Sequence, residues 1–169
     1  YYSDDQGYAY EYRPVVLSSF AIEHSLFGDH AIMSHFINLL FYAIAGVVLF
    51  AALSKLLSRF SIIIPLAITL LFSANVTHTE VVCSIKNRDE ILMLLFISIS
   101  LYSITCFALS GKWIWIFPTL LAYILASLSK STSISFVFIA ACALIFFTPI
   151  RFRNYIFIFL FLLIPTYFF

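Results

Sequence analysis

The chain has 169 residues, of which 63% are hydrophobic, 19% aromatic and 10% charged, with a formal net charge of +1. Soluble domains carry about a quarter charged residues, so the composition excludes an ordinary soluble fold and predicts an all-α integral membrane protein. The near-neutral balance also argues against nucleic acid as a partner.

Residues 1 to 12 are polar and tyrosine-rich and hold Asp4, Asp5 and Glu11, which predicts an aqueous loop. Pro14 at a first helical position and Gly28 just past an end frame a helix over Val15 to Phe27. That helix is shorter than the roughly 20 residues a bilayer core needs. It should lie in the plane of the membrane, near the segment Thr77 to Lys86. Residues 1–34 thus read as an outer loop with a juxtamembrane helix, and 35–169 as a transmembrane bundle.

The first spanning helix is expected over His35 to Leu57. His35, Asn38, Tyr42 and Gly46 share one stripe, and a polar stripe on an apolar helix should face the bundle or a wet cavity. A second span, Phe60 to Ser73, carries Pro65 near its middle. It delivers the chain to residues 74–90, where most of the mid-chain charge is concentrated. Thr77 and Glu80 have the spacing of a capping box. The short helix they start would place His78, Val81, Val82 and Ile85 on one face. Asn87 would cap the next helix, with Asp89 and Glu90 in its first turn. Capping alone accounts for those acids, but not for Lys86, Arg88 and His78 crowding the same segment. Cations at a membrane surface suit a phosphate.

Further spans are expected over Asp89 to Leu109, Trp113 to Leu128 with a kink at Pro118, Ile134 to Phe147, and from Asn154 onward. The whole is a bundle of about six transmembrane helices plus short in-plane helices. Trp113 and Trp115 read as interface anchors. Cys83, Cys106 and Cys142 have no metal spacing and read as small apolar residues. With no initiator methionine and a final apolar run, the chain reads as an internal piece of a longer protein. Lys55, Arg59, Lys112, Arg151 and Arg153 fall in alternate connections without an acid among them, which marks that side as cytoplasmic. The other connections, with every Asp and Glu, would then be extracytoplasmic.

Several blocks resemble one family. Tyr12-Arg13-Pro14-Val15-Val16, Phe20-Ala21-Ile22-Glu23 and His35-Phe36-Ile37-Asn38-Leu39-Leu40 are similar to the first half of the GT-C membrane glycosyltransferases. The segments Val76 to Val82 and Ile85 to Glu90 resemble the distinctive block of the protein O-mannosyltransferase-like branch that carries tetratricopeptide repeats after its membrane part. Leu128-Ser129-Lys130 resembles that branch's Leu-Ser-Lys turn. The likeness covers most of residues 12–133, in the family's order. It implies a GT-C-like, partial fold and transfer of a mannose-like sugar, outside the membrane, from a polyprenyl-phosphate carrier to a protein or other acceptor.

The chain departs from the pattern in three places. Val76 stands where the family has a proline, and Ser131 where it has an acid after Leu-Ser-Lys. The family's acidic pair follows a first span absent here, so the pair is either Asp4-Asp5 or lies upstream of Tyr1.

Glycosyl transfer from a lipid phosphate needs a carboxylate to take the acceptor proton and donors that stabilise the departing phosphate. Asp4, Asp5 and Glu80 are the candidate catalytic acids. Arg13, Lys86, Arg88 and Lys130 are candidate phosphate ligands, Arg88 foremost for its bidentate fork. Arg88 pairing with Glu80 or Asp89 is the bland alternative. His35, Asn38, His78, Asp89 and Glu90 complete the motifs in supporting roles. No ligand spacing argues for a metal, although Asp and Glu leave a divalent ion open. The lipid-linked sugar phosphate is the donor and partner implied. Two other classes stay open: a transporter or flippase half, and a non-catalytic membrane anchor.

Overall fold

The structure, a computed structural model, describes residues 13–148. These fold entirely as helices and their connections, with no strand among the described residues. Helix α1 covers Pro14–Phe27, α2 Ala31–Leu56, α3 Ile63–Ser73 and α4 Val76–Cys83. Helix α5 covers Arg88–Ser110, α6 Ile116–Ser129 and α7 Phe136–Phe147. Short 3-10 segments, Ile85–Asn87, Trp113–Trp115 and Ser131–Ser135, precede α5, α6 and α7.

Helix α1 begins at Pro14 as expected, because the proline's missing N–H would be unsatisfied there anyway. It stops at Gly28, whose N–H bonds the His24 carbonyl at 2.9 Å with φ +69°, a conformation only glycine adopts without strain. Rather than lying on the 77–86 segment, α1 packs on α6 and α5.

Helix α5 is the centre of the bundle and packs on both α2 and α6. In its most apolar stretch 61% of residues are buried, against 17% in α2, whose outer faces stay uncovered. The core gathers Leu101, Ile104 and Phe107 of α5 with Tyr123 of α6 and Phe136, Val137, Ala140 and Leu144 around α7. Hydroxyls on α5 are absorbed internally: Thr105 Oγ1 donates to the Leu101 carbonyl at 2.7 Å, and Ser100 Oγ donates to the Thr119 carbonyl on α6 at 3.0 Å. Such bonds let polar side chains sit in an apolar bundle without unpaired groups.

Two helices, α2 and the Ile85–Ser110 segment, are each 26 residues and apolar enough to cross a membrane. At 1.5 Å per residue each reaches about 39 Å, more than the roughly 30 Å of a hydrocarbon core. Helices α3 and α4, bent 59° from each other, make a third if taken as one broken span. The expected bundle of about six spans is therefore represented here by two to three. Helices α6 and α7 are shorter than a full crossing. The expected sixth span from Asn154, with Arg151 and Arg153, lies outside the described residues, as do Asp4 and Asp5.

Both expected mid-helix prolines move to helix starts. Helix α3 begins at Ile63 and α6 at Ile116, so Pro65 and Pro118 each stand in a first turn. No i−4 carbonyl waits for a proton there, and the chain avoids the break that an interior proline would cause.

Candidate functional site

Helix α4 is capped by Asn75, not Thr77. Asn75 Oδ1 accepts from the Thr77 N–H at 3.1 Å and from Thr77 Oγ1 at 2.9 Å. Asn is the stronger cap and the helix starts at Val76, two residues earlier than a Thr77 cap allows. Asn87 makes no side-chain cap; a 3-10 turn, Ile85–Asn87, leads straight into α5. The expected division into an apolar and a water-facing side holds only in part: His78, Val81, Val82 and Ile85 are half-buried and Glu80 is exposed, but Ser84 and Asn87, expected on the water-facing side with Glu80, are half-buried too. His78 stacks among aromatic rings, 4.4 Å from Phe72 and 5.8 Å from Tyr42 between centroids.

The polar stripe of α2 divides. Asn38 is fully buried, Tyr42 Oη donates to the Ser73 carbonyl at 3.2 Å, and Gly46 faces the Ser73 hydroxyl. His35, one turn before Asn38, is exposed.

The start of α5 meets the other motif segments. Arg88 is 0% exposed, and its Nη2 lies 2.6 Å from Glu23 Oε2 of α1. Its Nε donates to Asn38 Oδ1 at 2.7 Å, Nη2 donates to the Ser34 carbonyl at 3.4 Å, and the guanidinium sits 3.9 Å over the Phe20 ring. Ser34 Oγ donates to the other Glu23 oxygen. The Arg88–Glu23 contact is close but not aligned as a hydrogen bond, and Arg88 Nη1 is a buried donor without a partner among the described residues. The Phe20 ring offsets part of that cost through its electron-rich face.

Asp89, next in the chain, points to a second group. Its Oδ2 takes Arg13 Nη1 at 2.6 Å and Lys130 Nζ at 3.3 Å, and Lys130 also reaches Glu90 Oε1 at 2.6 Å. Arg13 and Lys130 thus share one oxygen atom and stand well within about 10 Å of each other, the range over which exposed charges still interact. Burial alone would lower the Lys130 pKa, but its hydrogen bond to Glu90 and the charges of Asp89 and Glu90 outweigh this and hold it above the usual lysine value.

The candidates therefore sort by place. Arg88 and Asn38 belong to one group, and Arg13, Lys130, Asp89 and Glu90 to a second beside it; the two meet at the start of α5, where Arg88 and Asp89 are neighbours in the chain. Arg88 pairs with Glu23, not with Glu80 or Asp89, and is sealed from solvent, which leaves its fork no room to take a phosphate in this state. Glu80 and Lys86 are exposed on the neighbouring segment and make no ion pair among the described residues. Glu23 and Ser34 are the members that site reasoning missed. A signal for Glu23 was present: it is a carboxylate on an apolar helix with no cation three or four residues away, so it needed a distant partner. Nothing marked Ser34. Among the described residues no group of three or more His, Cys, Asp or Glu could hold a metal.

Below the network an apolar groove of about 480 Å³ runs between α1, α5 and α6. Comparison with protein-family models, curated proteins and solved structures returns no match.

Proposed function

We propose that this chain is part of a membrane glycosyltransferase that moves a sugar from a polyprenyl-phosphate carrier to a protein or other acceptor. One observation carries the reading. Three segments distant in sequence, the Tyr-Arg-Pro, Arg-Asp-Glu and Leu-Ser-Lys motifs, meet at a single carboxylate through Arg13–Asp89–Lys130. A lipid phosphate needs cations that converge at the membrane surface, and this arrangement provides two above an apolar groove.

In this reading Arg13 and Lys130 are the phosphate contacts, exchanging Asp89 and Glu90 for phosphate oxygens, with exposed Lys86 as a further cation. Arg88 is a positioning residue that fixes α1 and α2 around the start of α5. Glu80 is the candidate base among the described residues; Asp4 and Asp5 are the others. The site end of the bundle is extracytoplasmic and Lys55, Arg59 and Lys112 are cytoplasmic, in a multi-pass topology of about six spans.

The test is transfer from a polyprenyl-phosphate sugar by the full-length protein in membranes. Lys130→Gln and Arg13→Gln should lose most transfer while melting temperature is retained. Unchanged transfer in both would sink the phosphate role.

A second reading is favoured by the pairing itself. Arg88 meets Glu23, and Arg13 and Lys130 meet Asp89 and Glu90, as a purely structural clasp of a membrane anchor would require. Under it, the same variants would lower stability and leave no transfer to lose.

A further inference from the structure

The two ends of the bundle treat their cations differently. At one end Arg88 meets Glu23, and Lys130 meets Asp89 and Glu90. The other end follows from how α2 and α5 run. Arg88, at the start of α5, takes Asn38 near the start of α2, and further along Leu101, Ile104 and Phe107 share a core with Ala52. The two long helices are therefore parallel. Lys55, in the last turn of α2, lies at the same end as Lys112, just past α5, and Arg59 stands in the turn that follows α2. All three are exposed, and among the described residues none makes an ion pair. The acids of the described chain lie elsewhere: Glu23, Asp89 and Glu90 in the pairs just named, Asp29 before α2, and Glu80 on α4, whose C-cap carbonyl meets Asn38. We propose that the end carrying Lys55, Arg59 and Lys112 is a binding surface for the anionic headgroups of a membrane leaflet. This rests on the membrane-spanning part of the reading above and not on sugar transfer.

Both cationic turns are fixed to the core. Leu56 and Leu57, between Lys55 and Arg59, are buried. Gly111, at φ +67°, turns the chain out of α5, and the Trp113 ring packs edge-on against buried Phe107 with centroids 5.7 Å apart. The cations thus stand on packed backbone, which lowers the ordering cost of engaging a ligand.

The occupant follows from what surrounds the cations. Arg59 is followed by Phe60 and Ile62, and Lys112 by Trp113 and Ile114, each more than half exposed. A soluble anionic partner would satisfy the cations and leave that apolar surface in water. A leaflet satisfies both. Its phosphates take the cations while its glycerol and acyl region takes the rings and branched chains, as where Trp and long cations anchor a bundle at a membrane surface. Zwitterionic headgroups carry no net charge, so with no acid at this end the attraction favours lipids of net negative charge. Each Lys or Arg close to such a surface adds to it.

The experiment places the full-length protein in phosphatidylcholine vesicles that contain a minor, equal fraction of either brominated phosphatidylglycerol or brominated phosphatidylcholine. Acyl-chain bromine quenches a nearby indole, and comparison of each protein with its Trp113→Phe counterpart isolates the Trp113 signal. Brominated phosphatidylglycerol should quench Trp113 severalfold more than brominated phosphatidylcholine, and high salt should shrink the difference. Lys55→Gln with Arg59→Gln and Lys112→Gln should remove the preference at an unchanged melting temperature. Lys112→Gln alone should lower it partway, and Lys112→Arg should keep it. Equal quenching by the two lipids in the wild type, or a preference that survives the triple variant, overturns the anionic surface. Trp113 unquenched by either lipid puts this end outside the bilayer and overturns the proposal together with the membrane placement it rests on. A lipid preference in a protein without sugar transfer would count against the transferase reading alone.

Discussion

Arg88 of α5 and Glu23 of α1, 65 positions apart in the chain, bring Nη2 and Oε2 to 2.6 Å in a site where neither side chain is more than 7% exposed. Removing one partner of a buried pair strands the other's charge, at a cost of about 3–5 kcal/mol. Glu23→Leu should therefore lower the melting temperature of the detergent-solubilised protein sharply. Glu23→Leu with Arg88→Met should recover most of the loss. If the double variant melts no higher than the single one, the pair is not the source of the effect.

Asn38 separates from its motif neighbour His35. Asn38→Leu removes the acceptor for Arg88 Nε and should cost about 1.5–3 kcal/mol, the range for hydrogen bonds to charged groups. His35 is exposed, so His35→Ala should stay within about 0.5 kcal/mol. Chemical denaturation in mixed micelles would compare them, and equal effects would show that His35 has a buried role.

Lys130 provides a pH test. Its folded pKa lies above the ordinary 10.5, so its contribution to stability is complete below that value and fades as pH rises through the folded one. At pH 9 the neutral amine is accordingly scarcer than in a lysine without its partners. Acylation of Lys130 should be slow in the wild type and faster in Glu90→Gln. No acceleration would mean that Glu90 does not hold the ammonium.

Asn75 is predicted to set the start of α4. Asn75→Ala should cost about 1 kcal/mol of local helix stability and speed hydrogen exchange at Thr77 and His78. Thr77→Ala, which leaves the Asn75 carbonyl oxygen on the backbone N–H, should have the smaller effect. The reverse order would restore Thr77 as the cap.

Sidedness can be read by impermeant thiol labelling of intact cells. With the native cysteines replaced, Lys86→Cys should react from outside and Arg59→Cys only after permeabilisation; both positions are exposed. Labelling of Arg59→Cys from outside would invert the proposed orientation.

Helix existence was legible because it depends on local properties: apolar runs, Pro14 at a start and Gly28 past an end. Gly111 adopts φ +67° with its N–H on the Phe107 carbonyl, as a helix-ending glycine should. Helix starts at Pro65 and Pro118 were misjudged because a proline tolerated in a first turn and one that kinks an interior look alike until the cap is known. The half-buried face of α4 was readable from spacing, but its cap was not. Asn75 and Thr77 both suit the role, and the choice turns on how α3 ends.

Composition and periodicity by themselves determined that this chain is helical, apolar enough to cross a bilayer, and marked by charge at a few junctions. They also identified Arg13, Arg88, Asp89, Glu90 and Lys130 as worth explaining, because isolated charge in an apolar chain is costly wherever it sits. Only the tertiary structure decided the pairing. Arg88 had several acids within reach of its own segment, yet burial against Phe20 and Asn38 selects Glu23, which no local rule connects to it. Asp89 was free to cap its helix and instead joins Arg13 to Lys130. Partner choice among charges depends on which helices pack together and how completely they exclude water, and that is a property of the folded bundle rather than of any one stretch of chain.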